Sequence, residues 1–581
     1  MLAVACVLGA FVVFVSPTLD QPLLERHAFR QTQTAYTARI FHEDGIDLIH
    51  PKLPVFGEPF EAPFEFPLFQ AAASLVMDAG VSDDMSMRTT ALACFVITAL
   101  LLFGLVRQVA GPVSGVAALF AFVVTPLSLS WARASLMEYM ATAGAVGFTW
   151  ATISWRERQR TLPAALALVA GLVGMLVKPT TAVFWFAPAL LYHPETPQRG
   201  KGRRHLGVSA LLVALPLAAA VLWTRHADAI KAASPTTAWL TSSELRGWYV
   251  GTLGQRLDPH TWVIMSTRLL AVVGLSGVLL VVSALATWRS PQRAFWLGIW
   301  FAAVGPPLVF TNQYAAHDYY VVAVSPALAA LIGLGFGYAE RVLPGRTALT
   351  SVIAAALVLF VTFDAGRGYW RPIFGGHDEP DVMPLAEQIE AHTAEGDLIG
   401  IAGLDWSPAV LYYARRWGQM AVPQTGSSVA YDLMHAQRYR YFLHADPRNG
   451  DLQQLDRWRF VGALDRNLYA LADRPEDLSG ALAVSTDQRA VDATPTKGHF
   501  SMKCGRFKSV PIGVRGASVE FAPTESRAQV VVSDALAPLP VRRALYVAPE
   551  LSSNGHLTIA CRGVESIQII GVRYGAGPAL G

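Results

Sequence analysis

Charged residues are scarce in this chain. Of its 581 residues, 15% are charged, against roughly a quarter in soluble domains. The 46 basic residues exceed the 43 acidic residues by only three, which provides no extended basic surface and argues against nucleic acid binding. A hydrophobic fraction of 53% and a mean hydropathy of +0.36 instead indicate a membrane protein that crosses the bilayer many times.

Cysteine is also rare, since the chain contains only four. Their spacing excludes a disulfide scaffold and a structural zinc site of the Cys-x-x-Cys type. Cys504 and Cys561 are the one pair that could form a disulfide, provided that the C-terminal region lies outside the cell. Two buried free thiols are the alternative. No internal repeat at a solenoid period and no obvious inverted repeat are visible.

Apolar segments predict eleven transmembrane helices, although some are short for a hydrocarbon core of about 30 Å. They lie at 1–16, 88–108, 112–130, 136–153, 162–177, 179–192, 206–223, 268–287, 295–311, 319–338 and 347–363. Lys and Arg gather in every second link, which predicts that side as the cytoplasm. The N-terminus is then cytoplasmic, and the first segment lacks the marks of a cleaved signal peptide.

Three regions follow from this layout. Residues 1–363 form a membrane domain with a long outer loop at 17–87, in which 67–79 is predicted to lie along the membrane interface. Residues 364–478 alternate helix and strand patterns, which predicts an α/β domain outside the membrane. Residues 479–581 contain short strands separated by turn residues, and these are typical of a β-sandwich. The predicted fold is therefore a polytopic α-helical membrane protein with α/β and β-rich extracytoplasmic regions.

Polar residues in the outer links are the first candidates for chemistry, because ionisable groups near a membrane are costly. Arg133 and Glu138 lie at an outer turn between two predicted spans. Glu138 could take a proton, hold a divalent ion or accept a hydrogen bond from a sugar, or merely favour the helix start. Lys178, at the tip of an apolar hairpin, suits a phosphate, with extension to the lipid headgroups as the alternative.

A second set of candidates could bind the substrate. His317, Asp318, Tyr319 and Tyr320 suit ligand hydroxyls or an anion, or form an interfacial tyrosine belt with a His-Asp cap. In the first outer loop, Arg26, Arg30 and His27 supply cations, while Gln31 and Gln33 could hydrogen-bond a polyol.

Acidic residues of the first outer loop are candidates for a catalytic base, although most loop acids are simply solvated. Glu65 is preferred because Phe64, Phe66 and Pro67 surround it in the sequence. Such apolar neighbours are expected to raise the pKa of its carboxyl group. Asp20 is the second candidate.

Taken together, these segments resemble the GT-C superfamily of integral-membrane glycosyltransferases, in the branch that includes protein O-mannosyltransferases and the lipid A aminoarabinose transferase. The resemblance covers residues 1–375. It is carried by a first span before a long acidic outer loop, Glu65-Phe-Pro-Leu68, Arg88, the Arg133…Glu138 turn, Lys178-Pro179, and His317-Asp-Tyr-Tyr320 ahead of Pro326.

The resemblance implies the roles of several residues. An outer-loop carboxylate would be catalytic, Glu138 would assist it, in some relatives with a divalent ion such as Mg²⁺ or Mn²⁺, and Lys178 would contact the lipid phosphate. Relatives place Asp or Asp-Glu ahead of the pair matched by Ala38-Arg39, where this chain has Arg30-Gln-Thr-Gln33. Glu65 and Asp20 therefore both stay open as the base.

The expected reaction moves a sugar from a polyprenyl-phosphate donor to a lipid, polysaccharide or protein acceptor in the cell envelope. A carboxylate base and a single displacement would invert the anomeric centre, while Lys178, Arg30 and Arg133 hold the phosphate. One alternative is an O-antigen ligase or polysaccharide polymerase with a diphosphate donor, which would favour a basic outer loop late in the chain. A transporter or flippase would instead place charges at the bilayer midplane, and nothing speaks for a receptor-like scaffold.

Overall fold

The computed structural model describes residues 2–194, 202–342, 379–425, 428–445, 455, 458, 460–464 and 468–472, and eight strands between 500 and 574. The chain divides into two compact units. Unit 1 comprises residues 1–51, 62–232 and 240–378, and unit 2 comprises 52–61, 233–239 and 379–581.

The secondary structure elements in the described part of unit 1 are all helices, joined by loops. Its α-helices are α1 Leu2–Val15, α2 Ala28–Asp44, α3 Leu68–Asp78, α4 Asp83–Ala110, α5 Pro112–Val123, α6 Pro126–Trp131, α7 Glu138–Arg158, α8 Thr161–Val177, α9 Pro179–Ala182, α10 Phe186–Leu191, α11 Gly202–Ala232, α12 Arg246–Val250, α13 Leu253–Leu257, α14 Pro259–Val273, α15 Val278–Arg289, α16 Arg293–Val309, α17 Thr311–Ala316 and α18 Ser325–Val342. Short 3₁₀ segments include Ser16–Thr18 and Asp318–Ala323. Several helices begin at a proline, whose fixed φ suits the first helical turn.

The predicted segments from 1–16 to 319–338 all coincide with helical structure, and the segment 347–363 lies outside the described residues. Among the described helices, Asp83–Ala110 and Leu206–Ala232 are long and apolar enough to cross a membrane. Pro259–Val273 and Val278–Arg289 form a third candidate, bent by 84°. These helices support a membrane location, while the eleven-span count and the orientation of the termini stay predictions.

Two helices of unit 1 form the hairpin that carries Glu138 and Lys178. α7 begins at Glu138, and α8 ends immediately before Lys178. The helices approach closely, because a Cβ on Gly144 would lie 2.5 Å from the backbone nitrogen of Gly174. Since α7 and α8 are antiparallel and joined by a short turn, the start of one and the end of the other lie at the same end of the hairpin.

The helix α2 was not predicted from the sequence. It follows His27, which has a left-handed backbone conformation (φ 57°). Its sequence is rich in Thr, Gln and Arg, and residues 31–41 are buried without interruption. A helix that is buried on every side has no apolar stripe, so the periodicity that identifies surface helices is missing.

Unit 2 contains the strands. They are β1 Leu398–Ala402, β2 Trp417–Ala421, β3 Tyr441–His444, β4 Phe460–Ala463, β5 Leu468–Ala472, β6 Phe500–Lys503, β7 Lys508–Pro511, β8 Ala517–Phe521, β9 Gln529–Val532, β10 Ala535–Pro538, β11 Arg543–Val547, β12 His556–Arg562 and β13 Ser566–Tyr574. Its helices are α19 Val382–His392, α20 Ala409–Tyr413 and α21 Val429–Ala436. These elements confirm the alternating helix and strand patterns predicted within 364–478 and the short strands predicted within 479–581.

Nine strands form one mixed sheet in the order β2-β1-β3-β5-β4-β11-β8-β13-β6, and β10-β9-β12-β7 form a second sheet. β1 pairs in parallel with β2 and β3, with Ile399 opposite Gly418 and Tyr441. β4 pairs in parallel with β11, so strands from both sides of residue 478 share the larger sheet. The β-sandwich stays a prediction. The proposed disulfide is outside the description, because Cys504 lies outside the described residues.

Candidate functional site

Arg30 and Glu65 form a partly buried ion pair. Arg30 Nη2 donates a hydrogen bond to Glu65 Oε1 (2.5 Å), and Arg30 Nη1 donates to Gln33 Oε1 (2.6 Å). Arg30 lies in the first turn of α2, and Glu65 lies in the loop before α3. The bond to Gln33, one turn further along α2, fixes the guanidinium so that its second branch points at the carboxylate.

The loop that carries Glu65 is held on both sides of this residue. The Phe66 N–H donates to the carbonyl of Leu176 (3.2 Å), and the carbonyl of Phe64 accepts a hydrogen bond from Trp223 Nε1 (3.0 Å). The rings of Phe66 and Trp223 also meet edge to face at 4.8 Å. Because Leu176 lies two residues before Lys178, the bond to Phe66 ties the Glu65 loop to the end of α8.

The pKa of Glu65 is lowered, and the expectation of a raised value is wrong. Burial alone would raise the pKa of this carboxyl group. The charges of Arg30 and Lys178 and the hydrogen bond from Arg30 lower the pKa by more than burial raises it. The apolar neighbours in the sequence describe only the local environment. The cation that decides the direction comes from a residue 35 positions away.

Lys178 and Glu138 form a second buried ion pair. Lys178 Nζ donates to Glu138 Oε1, and only 5% and 3% of the two side chains are exposed. Lys178 Nζ also lies 4.7 Å from the ring centre of Tyr320 and 5.7 Å from that of Tyr319. Lys178 therefore points into the protein rather than toward lipid headgroups. Burial opposes its charge, but Glu138 and Tyr320 raise its pKa, so the ammonium stays charged.

Glu138 keeps one carboxylate oxygen unused. Its Oε2 atom is buried and has no hydrogen-bond partner among the described residues. Such an atom is costly to bury unless a ligand supplies a donor. The two ion pairs also act on each other, since Lys178 lowers the pKa of Glu65 and Glu138 raises that of Arg30. We call Arg30, Glu65, Glu138 and Lys178 the charge cluster.

His27 and Asp318 join the start of α2 to the segment that carries Tyr319 and Tyr320. His27 Nε2 lies 2.9 Å from Asp318 Oδ1, and Arg26 Nη1 lies 3.2 Å from Asp318 Oδ2. Burial would raise the pKa of Asp318, but His27 and Arg26 lower it. The His27 ring is also 5.0 Å from the Tyr319 ring. These contacts place the phenols next to the charge cluster.

His317 contributes a neutral ring to the same region. Burial, together with His27 and Arg268 nearby, lowers the pKa of His317 to about 4. Its ring stacks on that of Tyr319 at 5.4 Å and lies 5.5 Å from the ring of Trp248. The predicted set His317 to Tyr320 is thus brought together with Lys178.

Arg133 lies in a different cluster from Lys178. Its Nη1 atom is 3.4 Å from Glu25 Oε1 and donates to the Thr18 carbonyl (3.1 Å). Glu25 accepts two hydrogen bonds from Arg88, at 2.5 and 2.6 Å. Arg88 is fully buried and also donates hydrogen bonds to the carbonyls of Gln21 and Pro22, in the loop between α1 and α2. This pairing fixes the chain between α1 and α2, while the predicted phosphate-binding role of Arg133 stays a prediction.

Two further candidates, Gln31 and Asp20, make no side-chain hydrogen bond to the charge cluster in the described part of the chain. Gln31 Oε1 accepts from the backbone N–H of Ser135, and Ser135 Oγ donates to the Gln31 carbonyl, both at 3.0 Å. Gln31 thereby fastens α2 to the turn before α7. Asp20 is exposed, and none of the contacts in the described part of the chain joins it to the charge cluster.

Sequence reasoning did not identify the supporting residues Ser135, Trp223 and Glu25. Ser135 and Trp223 carry no local signal, since a serine in a turn and a tryptophan in an apolar helix are ordinary. Glu25 was visible only as one of several loop acids. Its partner Arg88 lies 63 residues further along the chain, so the sequence alone offers no way to pair them.

A divalent ion does not fit the surroundings of Glu138. Its Oε1 atom already accepts a hydrogen bond from the Lys178 ammonium, and Arg30 adds a second positive charge. Across the residues that the structure describes, no group of three or more His, Cys, Asp or Glu side chains could hold a metal ion. The predicted metal-binding role of Glu138 therefore has no support in this donor set.

One protein family matches the chain directly. Residues 61–223 match the family described as dolichyl-phosphate-mannose-protein mannosyltransferase. The matched segment contains Glu65, Glu138 and Lys178, which are three of the four members of the charge cluster. No curated protein sequence matches the chain significantly.

Solved structures share the fold. ArnT from Cupriavidus metallidurans bound to undecaprenyl phosphate matches with a TM-score of 0.56 and 13% identity, over 84% of this chain and 99% of that one. The oligosaccharyltransferase AglB from Archaeoglobus fulgidus, in complex with an inhibitory peptide and a dolichol-phosphate, matches with a TM-score of 0.51 and 11% identity, over 96% and 93%. At such identities these structures establish the fold. Together with the family match, they confirm the predicted resemblance to the GT-C superfamily of membrane glycosyltransferases.

Proposed function

We propose that the protein transfers a sugar from a polyprenyl-phosphate donor to an acceptor hydroxyl at the outer face of the membrane, with inversion of the anomeric centre. The charge cluster carries this proposal, because it combines two cations with two carboxylates in one place. The undecaprenyl phosphate of ArnT and the dolichol-phosphate of AglB are ligands of the class that the proposal requires.

Arg30 and Lys178 are the proposed phosphate-binding groups. When the bond between the sugar and the phosphate breaks, negative charge develops on the phosphate oxygens. The planar guanidinium of Arg30 and the compact ammonium of Lys178 are suited to stabilise that charge. Both are already held by carboxylates, so little reorganisation is needed during the reaction. Arg133 is left out of this role, because its Nη1 atom contacts Glu25 and Thr18, in a cluster apart from Lys178.

Glu65 is the proposed base. Its lowered pKa keeps the carboxylate ionised near neutral pH, and its side chain is 21% exposed, against 3% for Glu138. An acceptor can therefore approach Glu65 more readily. The acceptor oxygen attacks the anomeric carbon, its proton passes to Glu65, and the polyprenyl phosphate leaves with the bonding electrons. Asp20, which is exposed and apart from the charge cluster, has no comparable position.

Glu138 has a positioning role in this proposal. Its Oε1 atom fixes the Lys178 ammonium, and its unpartnered Oε2 atom is available to a hydroxyl of the donor or the acceptor. Asp318 and His27 hold Tyr319 and Tyr320 against Lys178, where the phenol rings could contact the sugar.

The test is sugar transfer by the purified full-length protein in detergent. A panel of radiolabelled polyprenyl-phosphate sugars is offered to the wild type and to Glu65→Gln, Glu138→Gln and Asp20→Asn, each checked for folding. We expect transfer by the wild type and by Asp20→Asn, with a loss in Glu65→Gln. Absence of turnover with every monophosphate donor, with binding of a diphosphate-linked glycan, would favour a ligase or polymerase instead.

A further inference from the structure

Residues 52–61 of the first loop form a short hairpin that belongs to unit 2. Lys52 lies opposite Glu61 in an antiparallel bridge, and the Leu53 N–H donates to the Phe60 carbonyl (2.8 Å). At the tip, the Phe60 N–H donates to the Gly57 carbonyl (2.8 Å). We call residues 52–61 the finger. Its two arms are bonded to each other, so it moves as one piece.

The finger adds a strand to the larger sheet of unit 2. The N–H groups of Gly418 and Met420 in β2 donate to the carbonyls of Pro54 (3.2 Å) and Val55 (2.8 Å). The Gly57 N–H donates back to the Gly418 carbonyl (3.3 Å). Because β2 is the edge strand of the nine-stranded sheet, the finger covers backbone groups that would otherwise be unpaired.

Side chains strengthen this pairing. Phe56 is buried, lies opposite Gln419, and has its ring 5.6 Å from that of Trp406. The Phe60 ring meets Trp417 edge to face at 5.0 Å. Aromatic contacts of this kind stabilise the pairing of the finger with the edge strand beyond what its backbone hydrogen bonds provide.

The chain passes from the finger to Glu65 within four residues. This link is short, spanning at most about 14 Å when fully extended. It contains Pro63, and Pro67 follows Glu65, so the backbone on both sides of the carboxylate has restricted φ angles. A shift of the finger is therefore transmitted along the chain to Glu65 rather than absorbed by a flexible linker.

We propose that the pairing of the finger with β2 positions Glu65, four residues further along the chain, for proton transfer. The inference rests on the proposed function, in which Glu65 is the base. It gives β2 a role that requires no contact with the substrate. Gly57 is then a positioning residue of the reaction.

Gly57 offers a specific way to disturb the pairing. It has a positive φ of 77°, and a Cβ at this position would lie 2.6 Å from Oε1 and 2.8 Å from Cδ of Gln419. Gln419 is fully buried, and its Nε2 atom donates to the Ala430 carbonyl (3.2 Å), so it cannot easily move aside. The three nearest atoms to the added Cβ all belong to the Gln419 side chain.

Gly45 provides the matched control. It also has a positive φ, 94°, and lies in the same loop region, but an added Cβ would meet no atom within 4 Å. Gly45→Ala therefore also places a Cβ at a positive φ, but without the overlap. Combining Gly57→Ala with Gln419→Ala removes the overlapping atoms and should restore the pairing, whereas general destabilisation would become worse.

The experiment compares Gly57→Ala, Gly45→Ala and the Gly57→Ala/Gln419→Ala double variant in the full-length protein. Hydrogen exchange of the Gly418 and Met420 amides reports the pairing, and steady-state transfer gives kcat and KM for the polyprenyl-phosphate donor. For Gly57→Ala we expect faster exchange and a kcat lowered by about 10- to 100-fold, with little change in the donor KM. Gly45→Ala should keep both properties, and the double variant should recover both.

Two results would overturn the inference. Fast exchange in Gly57→Ala with an unchanged kcat would show that Glu65 does not depend on the finger. Failure of Gln419→Ala to restore kcat while exchange protection returns would show that the loss has another origin. Both require an active wild type. A wild type inactive with every donor would instead contradict the proposed function, and with it the catalytic part of this inference.

Discussion

Arg30 donates a 2.5 Å hydrogen bond to Glu65 and so joins α2 to the loop before α3. The sequence did not predict α2, whereas it made Glu65 the preferred candidate for the catalytic base. The hydrogen bond brings the two into contact. It also reverses the expected shift of the Glu65 pKa. The chemistry proposed for Glu65 therefore depends on a residue outside its own sequence environment.

Replacing Glu65 with Gln should abolish most of the transfer activity. The amide cannot accept the proton of the acceptor hydroxyl, so kcat should fall by about 10²- to 10⁴-fold. The variant keeps the shape of the side chain, and donor binding should persist because Lys178 and Arg30 remain. Radiolabelled sugar transfer measures the effect, with Asp20→Asn as the exposed control. Equal losses in both variants would contradict the assignment of the base.

Changing Arg30 should shift the acid limb of the pH profile. Because the pKa of Glu65 is lowered in the folded protein, its carboxylate form persists above that value and is lost as the pH falls through it. Arg30→Met removes the largest cause of lowering, so loss of kcat/KM should begin at a higher pH than in the wild type. Arg30→Lys retains the charge and should shift less. Identical acid limbs in all three proteins would argue that another group titrates.

Breaking the Lys178–Glu138 pair should destabilise the protein more than removing both charges. Lys178→Met leaves the Glu138 carboxylate buried without its cation, which costs about 3–5 kcal/mol in comparable buried pairs. The Lys178→Met/Glu138→Gln double variant carries no uncompensated charge and should recover part of that loss. Unfolding in detergent, followed by intrinsic fluorescence, gives the comparison. A double variant less stable than Lys178→Met would contradict the expected coupling.

Replacing Arg133 should lower the stability of the protein without changing the donor KM, whereas replacing Lys178 should also raise the donor KM. Arg133→Met removes contacts with Glu25 and Thr18, so it should lower the free energy of unfolding by about 1–3 kcal/mol. The donor KM should stay near the wild-type value, whereas Lys178→Met should raise it. Transfer assays over a range of donor concentrations separate the two. A raised donor KM in Arg133→Met would return that residue to the phosphate site.

The sequence alone determined the class of the protein and much of its local structure. Low charge and long apolar segments indicated a membrane location, and Lys178-Pro179 marked a break between two helices that the structure contains. Strands such as Ala517–Phe521 were legible because alternation and turn residues act over a few neighbouring positions. The same local reasoning selected Glu65, Glu138 and Lys178 as candidates.

Only the tertiary structure decided how those candidates are used. Arg30 meets Glu65 across 35 positions, Lys178 meets Glu138 across 40, and His27 meets Asp318 across 291. The helix α2 is buried on all sides, and the finger finds its partner strand more than 350 residues further along the chain. Composition and periodicity report on short windows of sequence. Ion pairing and strand pairing instead depend on which distant segments the fold brings within a few ångströms of each other.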